Sequence, residues 1–261
     1  MKNTYPSDLT KSEWRILKNY LPRPRQHPRR KWSALEIINA IFYVLRTGCQ
    51  WRYLPDSFPP WQTVYWHWRR LILQGVWQRI NTALRICVRV KAGRHPHPSA
   101  CVIDTQSAKT TEVRGERGFD GYKRVNGRKR CLLTDTMGLV LNVKVFPADW
   151  SEVDTALVAL EGLHRVLPRV ELVWADQGFR DWKFKAWLQG ALGWSLVLTR
   201  GVSKPGEAGF KVQPRRWVVE RSFGWLTRCR RLTRDFEGLS VVAESVVYAC
   251  SARLMLARLV K

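Results

Sequence analysis

Residues 130–146 have the sequence RCLLTDTMGLVLNVKVF, in which two apolar segments flank the turn that runs from Asp135 to Gly138. This pattern predicts a β hairpin. Further strands are predicted at three apolar segments, ACVID (100–104), VELVWAD (170–176) and WSLVLT (194–199). Helices are predicted between and after them, at 151–166, 179–190, 215–229 and 239–259. A hairpin followed by alternating helices and strands predicts a mixed α/β sheet.

The first 90 residues have helical rather than extended periodicity. Ser33 can cap a helix over SALEIINAIFYVLRTG, and a further helix is predicted over 62–90 with a break at Gly75. The aromatic connector between them, WRYLPDSFPPW, favours a helix-turn-helix whose second helix reads DNA. A plain helical bundle with a solvated arginine face is the alternative. In the first case, the predicted DNA contacts are Gln62, Thr63, Arg69 and Arg70.

The stretch from Lys91 to Ser99 is rich in proline, glycine and histidine, and periodicity changes from helical to extended after it. Such composition is typical of a linker. We therefore predict a helical DNA-binding domain over 1–92 and a second, α/β domain over 99–261.

The chain is strongly basic, with a net charge of +24 in 261 residues. Each Lys or Arg that neutralises a phosphate releases a counterion, so nucleic acid is the expected partner. A ribosomal or chromatin-like packing role is the alternative. The longest apolar run, 37–45, is too short to span a bilayer, and the N-terminal residues lack the apolar stretch of a signal peptide. We expect a cytoplasmic protein with no membrane partner.

Three acidic residues stand in apolar surroundings. Asp104 ends the strand ACVID, Asp176 ends the strand ELVWAD, and Glu220 lies in the predicted helix PRRWVVERSFGWLTR. The carboxyl ends of strands form the site edge of open α/β sheets, and an ionised Glu among apolar residues is costly unless it is paired or bound to metal. Simpler interpretations are turn-capping aspartates and an ion pair between Glu220 and Arg216. Together, three carboxylates supply the hard oxygen ligands that Mg²⁺ prefers.

At these residues the chain resembles the DDE transposases of bacterial insertion sequences typified by insertion sequence five. The matching segments are ACVIDTQSAKTTE, GRKRCLLTDTMGLVL, ADQGF, RRWVVERSFGWLTRCRRL and the N-terminal WRYLPDSFPPWQTVYWHWRRLILQGVWQRI. The resemblance implies that the domain over 99–261 is an RNase H-like catalytic domain, preceded by a mostly helical, helix-turn-helix-like domain. It spans nearly the whole chain.

The resemblance implies that Asp104, Asp176 and Glu220 are catalytic and bind two Mg²⁺ ions, with Mn²⁺ able to substitute. Arg216 matches the arginine of the family's Tyr-Arg-Glu-Lys signature, whereas Gln213 and Thr227 replace its tyrosine and lysine. Those two departures leave it open whether the enzyme is active. Nearby basic residues are predicted to contact DNA phosphates: Arg216, Lys109, Arg128, Lys129, Arg130 and Arg228.

The implied activity is cut-and-paste DNA transposition by a metal-dependent endonuclease and polynucleotidyl transferase. The protein would bind the terminal inverted repeats of its element, cleave a phosphodiester there, and join the freed 3′ hydroxyl to target DNA. Double-stranded DNA is then the partner, and a homo-oligomer is expected on it because two element ends must be paired. The alternatives are a non-catalytic, sequence-specific DNA-binding regulator and an RNase H-like nuclease without strand joining.

Overall fold

The chain changes from helices to strands close to the predicted boundary. The computed structural model describes residues 5–22, 31–112, 114–199 and 217–261. It divides into a first unit (Met1–Arg94, Trp225–Phe236, Val241–Lys261) and a second unit (His95–Gly224, Glu237–Ser240). The second unit therefore ends earlier than the predicted domain over 99–261, because two C-terminal segments pack with the N-terminal helices.

The first unit is helical, as its periodicity predicts. Its helices are α1 (Lys11–Leu17), α2 (Ala34–Thr47), α3 (Trp61–Leu73), α4 (Val76–Lys91) and, except for its first residue, α8 (Ser240–Leu259). Capping boxes begin the first two helices. The side chains of Thr10 and Ser33 each accept from the backbone N–H three residues on, and their own backbone N–H groups donate to the side chains of Glu13 and Glu36. Gly75, at φ 60°, separates α3 from α4 where the break is predicted.

Helices α2 and α3 flank a connector from Gly48 to Pro60 that is longer than the three- to four-residue turn of a helix-turn-helix. A short 3₁₀ turn at Trp51–Tyr53 lies within it. The ring of Trp51 lies 5.4 Å from that of Tyr65 and 6.0 Å from that of Trp68, measured between centroids. Aromatic contacts therefore fix the connector against α3.

Helix α8 is long and apolar enough to cross a membrane by length and composition, but 61% of its most apolar window is buried within the protein. Arg253 on this helix donates to Glu13 Oε1 at 2.6 Å, and Lys91 Nζ donates to the carbonyl oxygens of Arg258 and Leu259. These contacts are those of a core helix of the first unit. They explain why the C-terminal residues leave the second unit.

The second unit contains a six-stranded mixed sheet. Its strands are β1 (Ala100–Lys109), β2 (Gly118–Asp120), β3 (Val125–Asp135), β4 (Val140–Pro147), β5 (Leu172–Ala175) and β6 (Ser195–Leu198). Strands β4, β3 and β1 are antiparallel neighbours, β1, β5 and β6 continue the sheet in parallel, and β2 pairs with β3. The mixed α/β sheet and the hairpin are confirmed. Only the short strand β2 was not predicted from the sequence.

One face of this sheet packs against α5 (Glu152–Leu160) and α6 (Trp182–Trp187). The strand residues in this apolar cluster alternate along the chain, and they include Cys101, Ile103, Leu133, Val173 and Ala175. Because successive side chains of a strand point to opposite faces, the residues between them face away from α5. This alternation decides which face of the sheet Asp104 belongs to.

Helix α7 (Trp217–Leu226) is anchored to the hairpin turn of the second unit. Ser222 Oγ donates to the carbonyl oxygen of Gly138 at 2.9 Å, and Arg221 donates to that of Met137 at 3.3 Å. The described residues of α7 take no part in the apolar cluster around α5 and α6. Their buried members are Val218, Val219, Ser222 and Leu226.

Candidate active site

Asp104 and Asp176 lie at the same height on neighbouring parallel strands. The last registered pair of β1 and β5 is Val102 with Trp174, and each aspartate comes two residues later, Asp104 within β1 and Asp176 just after the end of β5. The backbone of Asp176 is still extended, so a continuation of this register sets Asp176 level with Asp104 on the neighbouring strand. In the alternation along β1, Asp104 belongs to the set of residues that faces away from the α5 cluster. The two aspartates therefore occupy corresponding positions on neighbouring parallel segments.

Each aspartate is held by a backbone donor just after it in the chain. The Thr105 N–H donates to Asp104 Oδ1 at 2.7 Å, and the Gly178 N–H donates to Asp176 Oδ1 at 2.9 Å. Asp176 thereby caps the 3₁₀ turn Gln177–Phe179, as the turn-capping interpretation of its sequence predicts. Capping and ligand binding are compatible here, since both aspartates are half-exposed and each has a second carboxylate oxygen.

Glu152, the first residue of α5, lies beside Thr105 and Gly178, the residues that hold the two aspartates. The sequence did not point to it. Its Oε1 accepts from Thr105 Oγ1 at 2.8 Å and lies 3.7 Å from Lys123 Nζ. Its Oε2 occupies the space that a Cβ on Gly178 would need. In the sequence, Glu152 follows the N-cap Ser151 and looks like an ordinary first-turn acid. No local signal distinguishes it.

Glu220 is exposed on α7, although its neighbours Val218, Val219 and Ser222 are buried. The premise that this carboxylate is surrounded by apolar residues is therefore wrong, because the helix turns it toward solvent. Arg216 and Gln213, the predicted partner and one signature departure, lie outside the described residues. The role of Glu220 as the third acid stays a prediction.

The donor chemistry at Asp104 and Asp176 suits a divalent cation with oxygen ligands. Within the part of the chain that the structure describes, no group of three or more His, Cys, Asp or Glu side chains is arranged to hold a metal ion. A metal site at the two aspartates therefore stays a prediction. Carboxylate oxygens suit Mg²⁺ better than a soft metal.

Cys131, on β3 behind the acids, remains a thiol. Burial raises its pKa to about 12; a hydrogen bond with Thr155 opposes the shift, and the nearby charges of Asp104 and Glu152 add to it. A thiol with so high a pKa is a poor nucleophile at neutral pH. The chemistry of this region therefore depends on its carboxylates.

The basic residues of β3 are structural, which corrects the prediction that they contact DNA. Arg128 is 2% exposed, and its guanidinium donates to the carbonyl oxygens of Glu116, Glu237 and Gly238 at 2.7–2.9 Å. Lys129 Nζ donates to the carbonyl oxygen of Trp150. Arg130 is also buried. Cations this deeply buried are shielded from a phosphate, so the structure contradicts the predicted DNA contacts at Arg128, Lys129 and Arg130.

Asp120 balances the charge of Lys129 within the second unit. Lys129 Nζ lies 3.8 Å from Asp120 Oδ2, which also accepts from Ser107 Oγ at 2.6 Å. Burial opposes ionisation of Asp120, but the bonds from Ser107 and the Lys123 N–H, with the charges of Lys129 and Lys123, lower the pKa of this carboxyl. Part of the basic excess is therefore neutralised inside the fold.

The other predicted DNA contacts are accessible. Lys109 and Arg228 are exposed, as are Gln62, Arg69 and Arg70 on α3, and Thr63 is half-buried. The Arg70 guanidinium lies 5.4 Å from the ring centroid of Trp66, which is itself 56% exposed. These residues stay candidates for phosphate and base contacts, each within its own unit.

Residues 9–81 match the family model described as a transposase of the IS4/5 family, and residues 95–255 match the transposase DDE domain. A search of the curated proteins found no match. The second family model covers more than half of the chain and includes Asp104, Asp176 and Glu220. The chain therefore belongs to the DDE transposases of the IS4/5 family.

Proposed function

We propose that this protein is the transposase of an insertion sequence, binding the element's terminal inverted repeats and cleaving and joining DNA there. The observation that carries the proposal is the alignment of Asp104 with Asp176 on parallel strands β1 and β5. The strand order, with antiparallel β4, β3 and β1 followed by parallel β5 and β6, supports the RNase H-like fold that the family resemblance implies. The family match supports the enzyme class.

In this proposal Asp104, Asp176 and Glu220 hold two Mg²⁺ ions, for which Mn²⁺ can substitute. When bound, such ions activate the attacking oxygen and stabilise the leaving one during in-line phosphoryl transfer. The chain itself fixes the two aspartates through the backbone N–H groups of Thr105 and Gly178. Preorganised ligands of this kind avoid reorganisation during the reaction.

DNA is held by exposed basic residues in each unit. On α3, Arg69 and Arg70 contribute charge, and Gln62 and Thr63 can hydrogen-bond to base edges or phosphates. Lys109 at the end of β1 and Arg228, with Arg216, are the proposed phosphate contacts nearer the catalytic residues in sequence. Pairing two element ends requires at least two protomers, so we propose a homo-oligomer on DNA, acting in the cytoplasm.

The proposal is tested by incubating purified protein with a labelled terminal-repeat duplex and Mg²⁺ or Mn²⁺. We expect nicking that leaves a 3′ hydroxyl. Asp104→Ala, Asp176→Ala and Glu220→Ala should each slow it on the order of 10²-fold or more, since each removes electrostatic stabilisation at the reacting phosphate. Glu161→Ala, which removes an exposed acid after α5, is the matched control and should cut normally.

The outcomes separate the alternative functions. Protein that binds the duplex but never cuts it would be a DNA-binding regulator. Protein that cuts the duplex but never joins the freed end to a supercoiled target plasmid would be a nuclease without strand joining. Equal cutting by all three acid variants and the wild type would reject the site assignment.

A further inference from the structure

We propose that Glu152 is a positioning residue of this active site, holding β1 at Asp104 and the turn after β5 at Asp176 next to each other. The inference rests on the proposed function and extends it to a residue outside the catalytic trio. From the first turn of α5, Glu152 contacts Thr105 and Gly178, the residues whose backbone N–H groups hold the two aspartates. It therefore acts on them through neighbouring residues.

The first connection is to β1. Thr105 Oγ1 donates to Glu152 Oε1 at 2.8 Å, and Thr105 is 6% exposed. The same threonine donates its backbone N–H to Asp104 Oδ1 at 2.7 Å. Glu152 thus fixes the residue whose backbone fixes Asp104. A buried hydrogen bond to a charged acceptor is among the stronger side-chain contacts in a protein.

The second connection is to the turn after β5. Glu152 Oε2 lies where a Cβ on Gly178 would stand. Asp176 Oδ1 lies 3.1 Å from that Cβ position. The Gly178 N–H donates to that Asp176 oxygen. Glu152 and the capped turn therefore determine each other's position.

The third connection is electrostatic. Lys123, in the turn between β2 and β3, lies 3.7 Å from Glu152 Oε1, and both side chains are partly accessible to solvent. The base of Glu152 is rigid, since Ser151 caps α5 and Thr155 Oγ1 donates to the Glu152 carbonyl oxygen at 2.7 Å. One carboxylate on a capped helix end thus connects three segments around the aspartates.

The test compares Glu152→Ala with Asp154→Ala, which removes the other acid in the first turn of the same helix. Asp154 is exposed and bonds only to Ser151 among the contacts described here, so it controls for loss of helix-end charge. Glu152→Ala should slow cleavage of the terminal-repeat duplex by roughly 10–100-fold, the usual cost of losing a residue that orients ligands. DNA affinity without metal should stay within error of Asp154→Ala, because neither acid is proposed to contact DNA.

A second readout does not depend on activity. Titration of the free protein with Mn²⁺, followed by electron paramagnetic resonance, should show affinity reduced by roughly 10-fold in Glu152→Ala and unchanged in Asp154→Ala. Glu152→Gln keeps an acceptor for Thr105 and should recover most of both losses. Thr105→Val removes the donor from a buried site and should reproduce part of them, even where Glu152→Ala fails to fold.

Equal effects of Glu152→Ala and Asp154→Ala would overturn the inference, because the loss would then come from the helix end. Wild-type Mn²⁺ affinity and cleavage rate in Glu152→Ala would overturn it as well, and so would wild-type values in Thr105→Val if Glu152→Ala does not fold. Wild-type protein that binds Mn²⁺ but never cuts DNA would reject the proposed function alone, while the Mn²⁺ comparison would still decide the role of Glu152.

Discussion

Two basic segments of this protein differ in their exposure to solvent. On β3, Arg128, Lys129 and Arg130 are buried and bonded within the second unit, whereas Arg69 and Arg70 on α3 of the first unit are exposed. Both segments are runs of positive charge in a chain of net charge +24. The difference shows that such a run identifies a nucleic-acid contact only when its hydrogen-bond donors are accessible.

The cause lies in the neighbours of each element. Strand β3 has strands on both sides and packing on both faces, so its residues from Gly127 to Asp135 are all buried. Helix α3 has one buried stripe at four-residue spacing, formed by Val64, Trp68 and Ile72, and leaves the rest of its surface to solvent. A central strand therefore buries its charges, and a surface helix displays them.

The largest effect is expected on stability, at the buried Arg128. It tests whether the two segments really differ in role. Arg128→Met leaves three backbone carbonyl oxygens without their charged donor, and we expect the free energy of unfolding to fall by about 3–5 kcal/mol. Arg69→Met, an exposed change of the same size, should cost less than about 0.5 kcal/mol. Urea denaturation measures both. Equal stability of the two variants would remove the structural role assigned to β3.

An intermediate effect is expected at Asp120, which compensates Lys129. Asp120→Asn should cost about 1–3 kcal/mol at neutral pH. Because the folded-state pKa of Asp120 is lowered, its contribution is present above the ordinary value of 3.8 and is lost as pH falls through the lower folded value. The difference between variant and wild type should therefore shrink on acidification.

Denaturant titrations at neutral pH and at about pH 3, near the ordinary range of an aspartate, measure that change. Glu161→Gln, at an exposed carboxylate, should show no comparable pH-dependent difference from wild type. A difference between Asp120→Asn and wild type that stays constant across the two conditions would contradict the role of the Asp120 charge.

The smallest effect on folding, and the clearest on DNA, is expected at α3. Arg69→Ala combined with Arg70→Ala should weaken binding to element ends and reduce the slope of log K against log salt by about 1–2, with little change in stability. Arg15→Ala combined with Lys18→Ala removes the same charge from exposed positions near α1 and should leave the slope unchanged. Equal losses in both double variants would assign binding to net charge alone.

Local features of the fold were predictable from short segments of sequence. The capping box at Ser33, the break at Gly75 and the hairpin turn from Asp135 to Gly138 each depend on residues within one or two turns of chain. The apolar segments around Asp104 and before Asp176 also predicted strands, although β1 continues to Lys109, so that Asp104 lies within its strand and not at the predicted end. These are short-range effects of hydrogen bonding and side-chain alternation, so the sequence by itself determined them.

Only the tertiary structure decided which polar groups are buried and which segments meet. Glu152 contacts Thr105 across 47 residues, and Arg128 reaches Gly238 across 110. The pairing of Arg253 with Glu13 brings the C-terminal helix into the first unit, although the sequence predicted one continuous domain there. Burial depends on which distant segments pack together, and neither the composition nor the spacing of a short segment carries that information.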